Sequence, residues 1–333
     1  MNENPVGPRP PPRLKHDRRA LLRQGLILLA VAALIGLLAH LAADNLRRQN
    51  IPGGFGFLLE PAGFSLGEGL VPFESSQPYL MAFVAGVANT LRVAVPAIFL
   101  SALLGTFLGA GRLSANLLVR SLCGAYVEFF RNIPLLLQLL AWYFALADLL
   151  PALDAAWRLG DVYLSKSGLA FPAPAWSGHG FVLERPLKNA FNIAGGGSLT
   201  PEYLAVLAGL VLYSAAYLAE IVRAGLMAVP KGQTEAALAL GLSRRQVFSR
   251  VVLPQALRVI IPSATNQFLS ITKNSSLGIA VGYPELMAVA NTSLNQSGRA
   301  IECISLVMLV YLLLSLLTAW AMARYNRRAL LAC

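Results

Sequence analysis

Six apolar stretches, each about as long as a bilayer is thick, leave this chain little choice of fold. They run roughly over Gln24–Ala43, Leu80–Gly111, Ile133–Leu150, Tyr203–Val222, Ile261–Val281 and Cys303–Ala323. A helix needs about 20 mostly apolar residues to cross the hydrocarbon core. The fold class that follows is an all-α polytopic membrane protein with about six transmembrane helices. The second stretch is long enough to tilt or to extend beyond the lipid. Composition agrees, because only 13% of the 333 residues are charged against about 25% in soluble domains.

The net charge of +11 would suit a nucleic-acid partner, but its distribution has another explanation. Six spans put both termini on one side. With both in the cytoplasm, the inside segments hold eighteen basic residues and the outside segments seven; Arg92 and Lys273 fall within spans. Every inside segment contributes, which is the positive-inside pattern. The reading is therefore a multi-pass inner (plasma) membrane protein, both termini cytoplasmic, in contact with lipid and not with nucleic acid. Its parts are a basic cytoplasmic tail (1–23), an N-terminal transmembrane helix with a periplasmic segment (24–79), and a main transmembrane domain (80–329). The main domain carries a periplasmic loop at about 151–202 and a cytoplasmic loop at about 231–256. The outside segments, about Asp44–Tyr79 and Pro151–Glu202, are rich in Gly and Pro, and irregular structure with short interfacial helices is expected there. The basic N-terminus resembles a signal-peptide n-region, but no small-x-small cleavage site follows the apolar run, so an uncleaved anchor is expected.

Cys123, Cys303 and Cys333 form no CxxC or Cys/His cluster, and His16, His40 and His179 are scattered. No disulfide framework, metal site or catalytic constellation is expected. The phosphate-loop pattern GxxxxGK[ST] is absent. The chain is read as a non-enzyme that binds no cofactor of its own.

The most informative segment runs from Gly232 to Pro254. Glu235 to Leu240 are strong helix formers, and Gly241 suits the left-handed position that ends a helix. Ser243 and Gln246 have capping-box spacing for a second helix, and Pro254 breaks that helix or begins the next segment. Val247, Phe248, Val251 and Val252 make one apolar face, with Arg244, Arg245 and Arg250 off it. Alone, this reads as a DNA-binding helix-turn-helix. Tethered within a few residues of two membrane spans, it is not one.

The spacing Glu235-Ala236-Ala237, three residues, Gly241, nine residues, Val251, one residue, Leu253-Pro254 is similar to the EAA loop of ABC importer permeases, with Val251 in place of the pattern's Ile. Tyr126-Val-Glu128-Phe-Phe-Arg131-Asn-Ile-Pro134-Leu-Leu-Leu-Gln138, Thr272-Lys273-Asn274-Ser275-Ser276-Leu277 and Asn89-Thr90-Leu91 resemble the polar amino-acid uptake branch, over about Leu80–Leu330. The N-terminal span and Gly53–Phe64 look like the first permease of broad-range L-amino-acid systems. The resemblance implies a type I transmembrane domain that forms half of a translocation pathway. It implies two ABC ATPase subunits carrying ATP and Mg, a second permease (a similar chain or a copy), and a periplasmic amino-acid-binding protein. Glu235, Ala236, Ala237, Gly241, Leu253 and Pro254 would couple the chain to the ATPase. An ion-gradient-driven carrier or channel is the alternative. Such carriers often show two repeated halves, and no repeat is visible.

Several polar residues within or beside the spans are candidates for the substrate path or gate. Glu128, Arg131, Pro134 and Gln138 share a helix face; they form either an inner gate or a cap plus ion pair. Asn266, Ser270, Lys273 and Asn274 make a polar stripe that should face protein or water, because a charge in lipid costs several kcal/mol. Lys273 has three open readings: a substrate carboxylate, a pair with Glu220, or a contact between subunits. Arg92 has comparable readings. Glu220 and Arg223 are spaced to satisfy each other, and Gly105 and Gly109 form a GxxxG packing pattern.

Overall fold

The computed structural model describes residues 18–48, 53–176, 180–189 and 192–331. The chain divides into two compact units, Met1–Gly53 and Gly54–Cys333. In the first, α1 (Arg18–Arg48) contains the whole expected first span, with Leu26, Ile27, Leu28 and Leu29 exposed. The basic tail before Arg18 lies outside the described residues. Among the described residues four helices are long and apolar enough to cross a membrane, or up to five if one bent pair counts as a span; Gln24–Leu34 adds a shorter apolar helix.

The second unit is built on α2 (Tyr79–Gly111) and α5 (Pro201–Met227). Their small residues let the backbones approach closely. A Cβ added at Gly105 would lie 2.6 Å from Leu218 Cβ, and one at Gly109 would lie 2.6 Å from the Ala219 carbonyl oxygen. The GxxxG pattern is thus a packing seam. Other glycines on α5 repeat the device. Gly209 leaves room for Leu139 of α4 (Leu135–Leu149), and Gly225 for Ile260 of α8 (Leu253–Asn274). One core cluster gathers Val93, Leu139, Tyr203, Val206, Leu210, Ile271 and Tyr283. A second joins the Phe57–Phe83 region to Leu286, Val289, Cys303 and Val307.

The third expected span differs. Ile133–Leu150 is not a simple crossing: α4 has 15 residues, about 22 Å at 1.5 Å per residue. It meets α3 (Leu117–Asn132) at a 104° bend. Proline disfavours helix at the residue before it, and Ile133 is extended (φ −100°, ψ 126°). Pro134 therefore separates α3 from α4 and caps the first turn of α4, its carbonyl accepting from Gln138 N–H at 3.2 Å.

The fifth span differs in the opposite sense. From Arg244 to Val281 the chain is one helical run of 38 residues. It comprises α7 (Arg244–Val247), a π turn (Phe248–Val252), α8 and a 3-10 turn (Ser275–Val281). Pro254 does not break it. It sits in the first turn of α8, where a missing N–H is tolerated, and Leu253 N–H donates five residues back to Phe248. Between this run and α10 (Ala300–Leu331) lies α9 (Leu286–Ser297), which the hydropathy pattern did not reveal. Glu285 caps it, accepting from Ala288 N–H at 2.9 Å and from Tyr311 O–H at 2.9 Å; Gly298 ends it at φ 69°.

The segment 151–200 is not irregular. Its described residues hold eight short strands: β1 (Trp157–Leu159), β2 (Val162–Ser165), β3 (Gly168–Phe171), β4 (Ala173–Trp176), β5 (Phe181–Glu184), β6 (Leu187–Lys188), β7 (Ile193–Ala194) and β8 (Gly197–Leu199). The main antiparallel sheet has the order β1-β2-β3-β8. Leu159 pairs with Val162, so Gly160-Asp161 is a two-residue hairpin loop, and Gly160 supplies the positive φ of 62° that such a loop needs. Alternate residues of β2 and β3 are buried, as expected for a sheet with one covered face.

Candidate functional site: coupling loop and membrane cavity

The loop with EAA spacing forms from local signals alone. α6 (Lys231–Ala239) ends at Leu240, and Gly241 has φ 82°. Gly241 N–H donates to Leu238 C=O at 2.9 Å and Leu242 N–H to Ala237 C=O at 3.2 Å. This pair of bonds is the Schellman closure. Ser243 and Gln246 then complete a capping box: Ser243 N–H reaches Gln246 Oε1 at 2.9 Å and Gln246 N–H reaches Ser243 Oγ at 3.4 Å. Ala237 and Val247 are buried in the elbow, whereas Glu235, Ala236, Leu238, Leu240 and Phe248 are exposed. Leu253 and Pro254 are half-buried at the start of α8. The loop thus presents an apolar surface, flanked by exposed Arg244, Arg245 and Arg250, on a rigid double-capped frame.

Part of the polar stripe converges on a cavity. Tyr213 and Tyr217 of α5 and Gln267, Ser270, Lys273 and Asn274 of α8 line about 280 Å³. The two tyrosine hydroxyls are 3.2 Å apart, and the Arg131 guanidinium lies 5.1 Å from the Tyr217 ring centroid. Asn266 is exposed and does not line it; its carbonyl accepts from Ser270 Oγ at 3.0 Å. Lys273 has no ion-pair partner among the described residues. The pair with Glu220 is not formed, because Glu220 holds Arg112 and Arg223 instead. Tyr213, Tyr217 and Gln267 were missed from sequence. The i, i+4 tyrosine pair in an apolar helix was the available signal.

The other candidates separate. Glu128 and Arg131 form no ion pair with each other among the described residues; Glu128 is exposed and Arg131 stacks on Tyr217. Gln138 is buried, and its Nε2 donates to Phe130 C=O at 2.8 Å and Ile133 C=O at 2.9 Å. Those carbonyls are at the end of α3, where helical partners run out. Gln138 therefore pins the α3–α4 bend. Replacing Gln138 with Leu should cost about 1–3 kcal/mol through the carbonyls left bare, read as a lower thermal midpoint in detergent.

Arg92 is engaged elsewhere. It pairs with Glu68 at 2.7 Å, donates to Ser198 C=O at 3.2 Å and lies over the Tyr203 ring at 4.9 Å. Glu68 also accepts from Thr200 Oγ1. Pro96 has no N–H for the Arg92 carbonyl one turn back, and Tyr203 O–H supplies the bond at 3.1 Å. Asn89, fully buried, donates to Glu68 C=O and Pro284 C=O. This network closes α2 against Glu68, β8 and α5, beside a cavity of about 590 Å³ lined in part by Glu68, Thr200, Glu202 and Asn291.

A family model for the inner membrane component of binding-protein-dependent transport systems matches residues 97–330. The chain belongs to this family. As an inner membrane component of such a system it is a multi-pass membrane protein. It is similar to the general L-amino acid transport system permease protein AapQ of Rhizobium johnstonii, 38% identical over 93% of this chain and 92% of that protein. It is also 38% identical to the putative amino-acid ABC transporter permease protein YhdX of Escherichia coli, over 93% of this chain and 94% of that one. Among solved structures, a crystal structure of an amino acid ABC transporter with histidines aligns at TM-score 0.56 and 25% identity, over 75% of this chain and 95% of the other. The MetNI methionine ABC transporter, at TM-score 0.53 and 20% identity over 75% of this chain and 97% of the other, shares the fold.

Proposed function

We propose that this chain is the permease subunit of an ATP-driven amino-acid importer and forms half of its pathway across the inner membrane. The observation that carries the reading is 38% identity to AapQ over nearly the whole of both chains. Both termini face the cytoplasm, following the distribution of basic residues. Two separate ATPase subunits hold ATP and Mg and engage the exposed surface of the loop around Glu235–Arg250. A periplasmic binding protein delivers the amino acid to the opposite face, and a second permease, a similar chain or a copy, completes the pathway. The Gly241 elbow supports this reading: it is a rigid, small-residue element with apolar side chains exposed, as suits docking in a groove. The cavity under Lys273 is the passage assigned to the substrate.

A mild-detergent pull-down of the tagged chain tests the assembly. A near-stoichiometric partner carrying a phosphate-loop motif is expected, and a second permease in the eluate would distinguish a heterodimer from a homodimer. A monodisperse chain without any ATPase would sink the proposal.

A further inference from the structure

The larger cavity, beside Glu68, has walls from three separate parts of the chain. They are the stretch 64–68 ahead of α2, Thr200 and Glu202 at the start of α5, and the turn and helix α9 over 279–292. On the topology proposed above all three are external. Resting on that transport reading, we infer that this cavity is a socket for a lysine or arginine side chain of the periplasmic binding protein when it docks. Its volume of about 590 Å³ is that of a ligand pocket. It is too large for a bare metal ion, and no group of three or more His, Cys, Asp or Glu among the described residues could hold one. The socket is also preformed. Asn89 Nδ2 donates to Glu68 C=O at 3.1 Å and to Pro284 C=O at 2.8 Å, which ties two of the walls to α2. Little ordering is then left to oppose docking.

Charge in the cavity is unbalanced. No lining residue is Lys, Arg or His. Of the two lining carboxylates, Glu68 is already neutralised by Arg92 at 2.7 Å and accepts from Thr200 Oγ1. Glu202 has no ion-pair partner among the described residues. It is half-buried and accepts from Tyr143 O–H at 3.4 Å. One negative charge therefore remains on a wall that otherwise includes Phe64, Leu66, Pro284 and Val289. Lysine and arginine match this combination, with an apolar stem and a charged head. The stem lies along the apolar wall while the head meets Glu202 in a charge-assisted hydrogen bond. Oxygens of Asn291 and Thr292 can accept the remaining N–H groups. A free amino acid fits less well, because its carboxylate meets no cation on these walls. Charged side chains seated in pockets are common anchors of protein interfaces.

The test is uptake by proteoliposomes holding the assembled permease–ATPase complex. The binding protein that restores uptake, loaded with radiolabelled glutamate, is titrated in. Glu202→Gln should raise the half-saturating concentration of binding protein about tenfold, as when one partner of an interfacial charge pair is removed. The effect should fall on that concentration more than on the rate at saturation. Glu202→Asp, which keeps the charge, should recover part of the loss. Added salt should raise the half-saturating concentration in the wild type and much less in Glu202→Gln. Glu202 lies in the first turn of α5, so a second variant leaves that helix untouched. Asn291→Lys, at an exposed position of α9, puts a cation into the cavity and should also raise the half-saturating concentration; it decides the matter if Glu202→Gln does not assemble. An unchanged half-saturating concentration in assembled Glu202→Gln overturns the inference and leaves the transport reading standing. So does a lower saturated rate at an unchanged half-saturating concentration, which would put the cavity on the route of the amino acid itself. If the wild type takes up no amino acid at any concentration of binding protein, the transport reading fails and the inference with it.

Discussion

Replacing Gly241 with Val should reduce ATP-driven uptake at least about tenfold while leaving membrane insertion intact. Nothing lies within 4 Å of a Cβ built there, so crowding is not the reason. The reason is the backbone angle of φ 82°. An L-residue in the left-handed region costs about 1–2 kcal/mol, and a β-branched one is a stronger outlier. The cheapest relief is to abandon the two Schellman bonds from Gly241 and Leu242, which re-aims α6 relative to α7. Because the loop is exposed, this alters its presentation to an ATPase and not the membrane core. Gly241→Asn, which tolerates this conformation, should retain most activity. Uptake and substrate-stimulated ATP hydrolysis, measured in proteoliposomes, report the effect. Normal uptake by the valine variant would remove the loop from the coupling path.

Gly109→Val should act by the opposite route and damage the fold itself. Its Cβ would stand 2.6 Å from the Ala219 carbonyl oxygen and 2.9 Å from Val222 Cβ. Backbone cannot step aside as a side-chain tip can, so α2 and α5 must separate along their seam. Overpacking of this kind costs about 1–3 kcal/mol and occasionally more, and here it falls on the helix pair at the centre of the second unit. A drop of roughly 5–10 °C in thermal midpoint and a smaller monodisperse fraction in detergent are expected. Gly109→Ala should be intermediate, since a single Cβ already collides. Gly124→Ala, where nothing lies within 4 Å, should be silent. An unshifted midpoint for Gly109→Val would mean that the seam yields far more easily than its contacts imply.

What the sequence made legible was short-range. The Gly241 turn and the Ser243–Gln246 box are set by neighbours within a few residues, and both appear with the predicted bonds. The apolar runs located the helices because lipid imposes length and composition. Their ends were harder to read. Pro134 marks the start of α4 but gives no sign that α3 meets it at 104°, and Pro254, read as a break or as the start of the next segment, begins α8 in a run that a π turn makes continuous. Longer-range partnerships left no local trace. Arg92 is 24 positions from Glu68, and Glu220 found Arg112 across 108. The small sheet escaped because strands of two to four residues between glycines resemble loops by composition. α9 was readable in principle from Glu285 and Gly298, a cap and a stop with twelve residues between them, but no apolar run drew attention to it.

The continuous run from Arg244 to Val281 has a mechanical consequence. From Arg244 to Lys273 it extends about 44 Å at 1.5 Å per residue, so loop and cavity share one strut. A helix is stiff along its axis; a push at one end arrives at the other as movement, not as a relayed series of contacts. The regular ladder of this strut is interrupted at two points: the five residues Phe248–Val252, where wider hydrogen-bonded rings replace it, and Pro262 within α8, which has no N–H to donate. Under the coupling proposed above, how much of a stroke at the loop reached the cavity would be set at those two points.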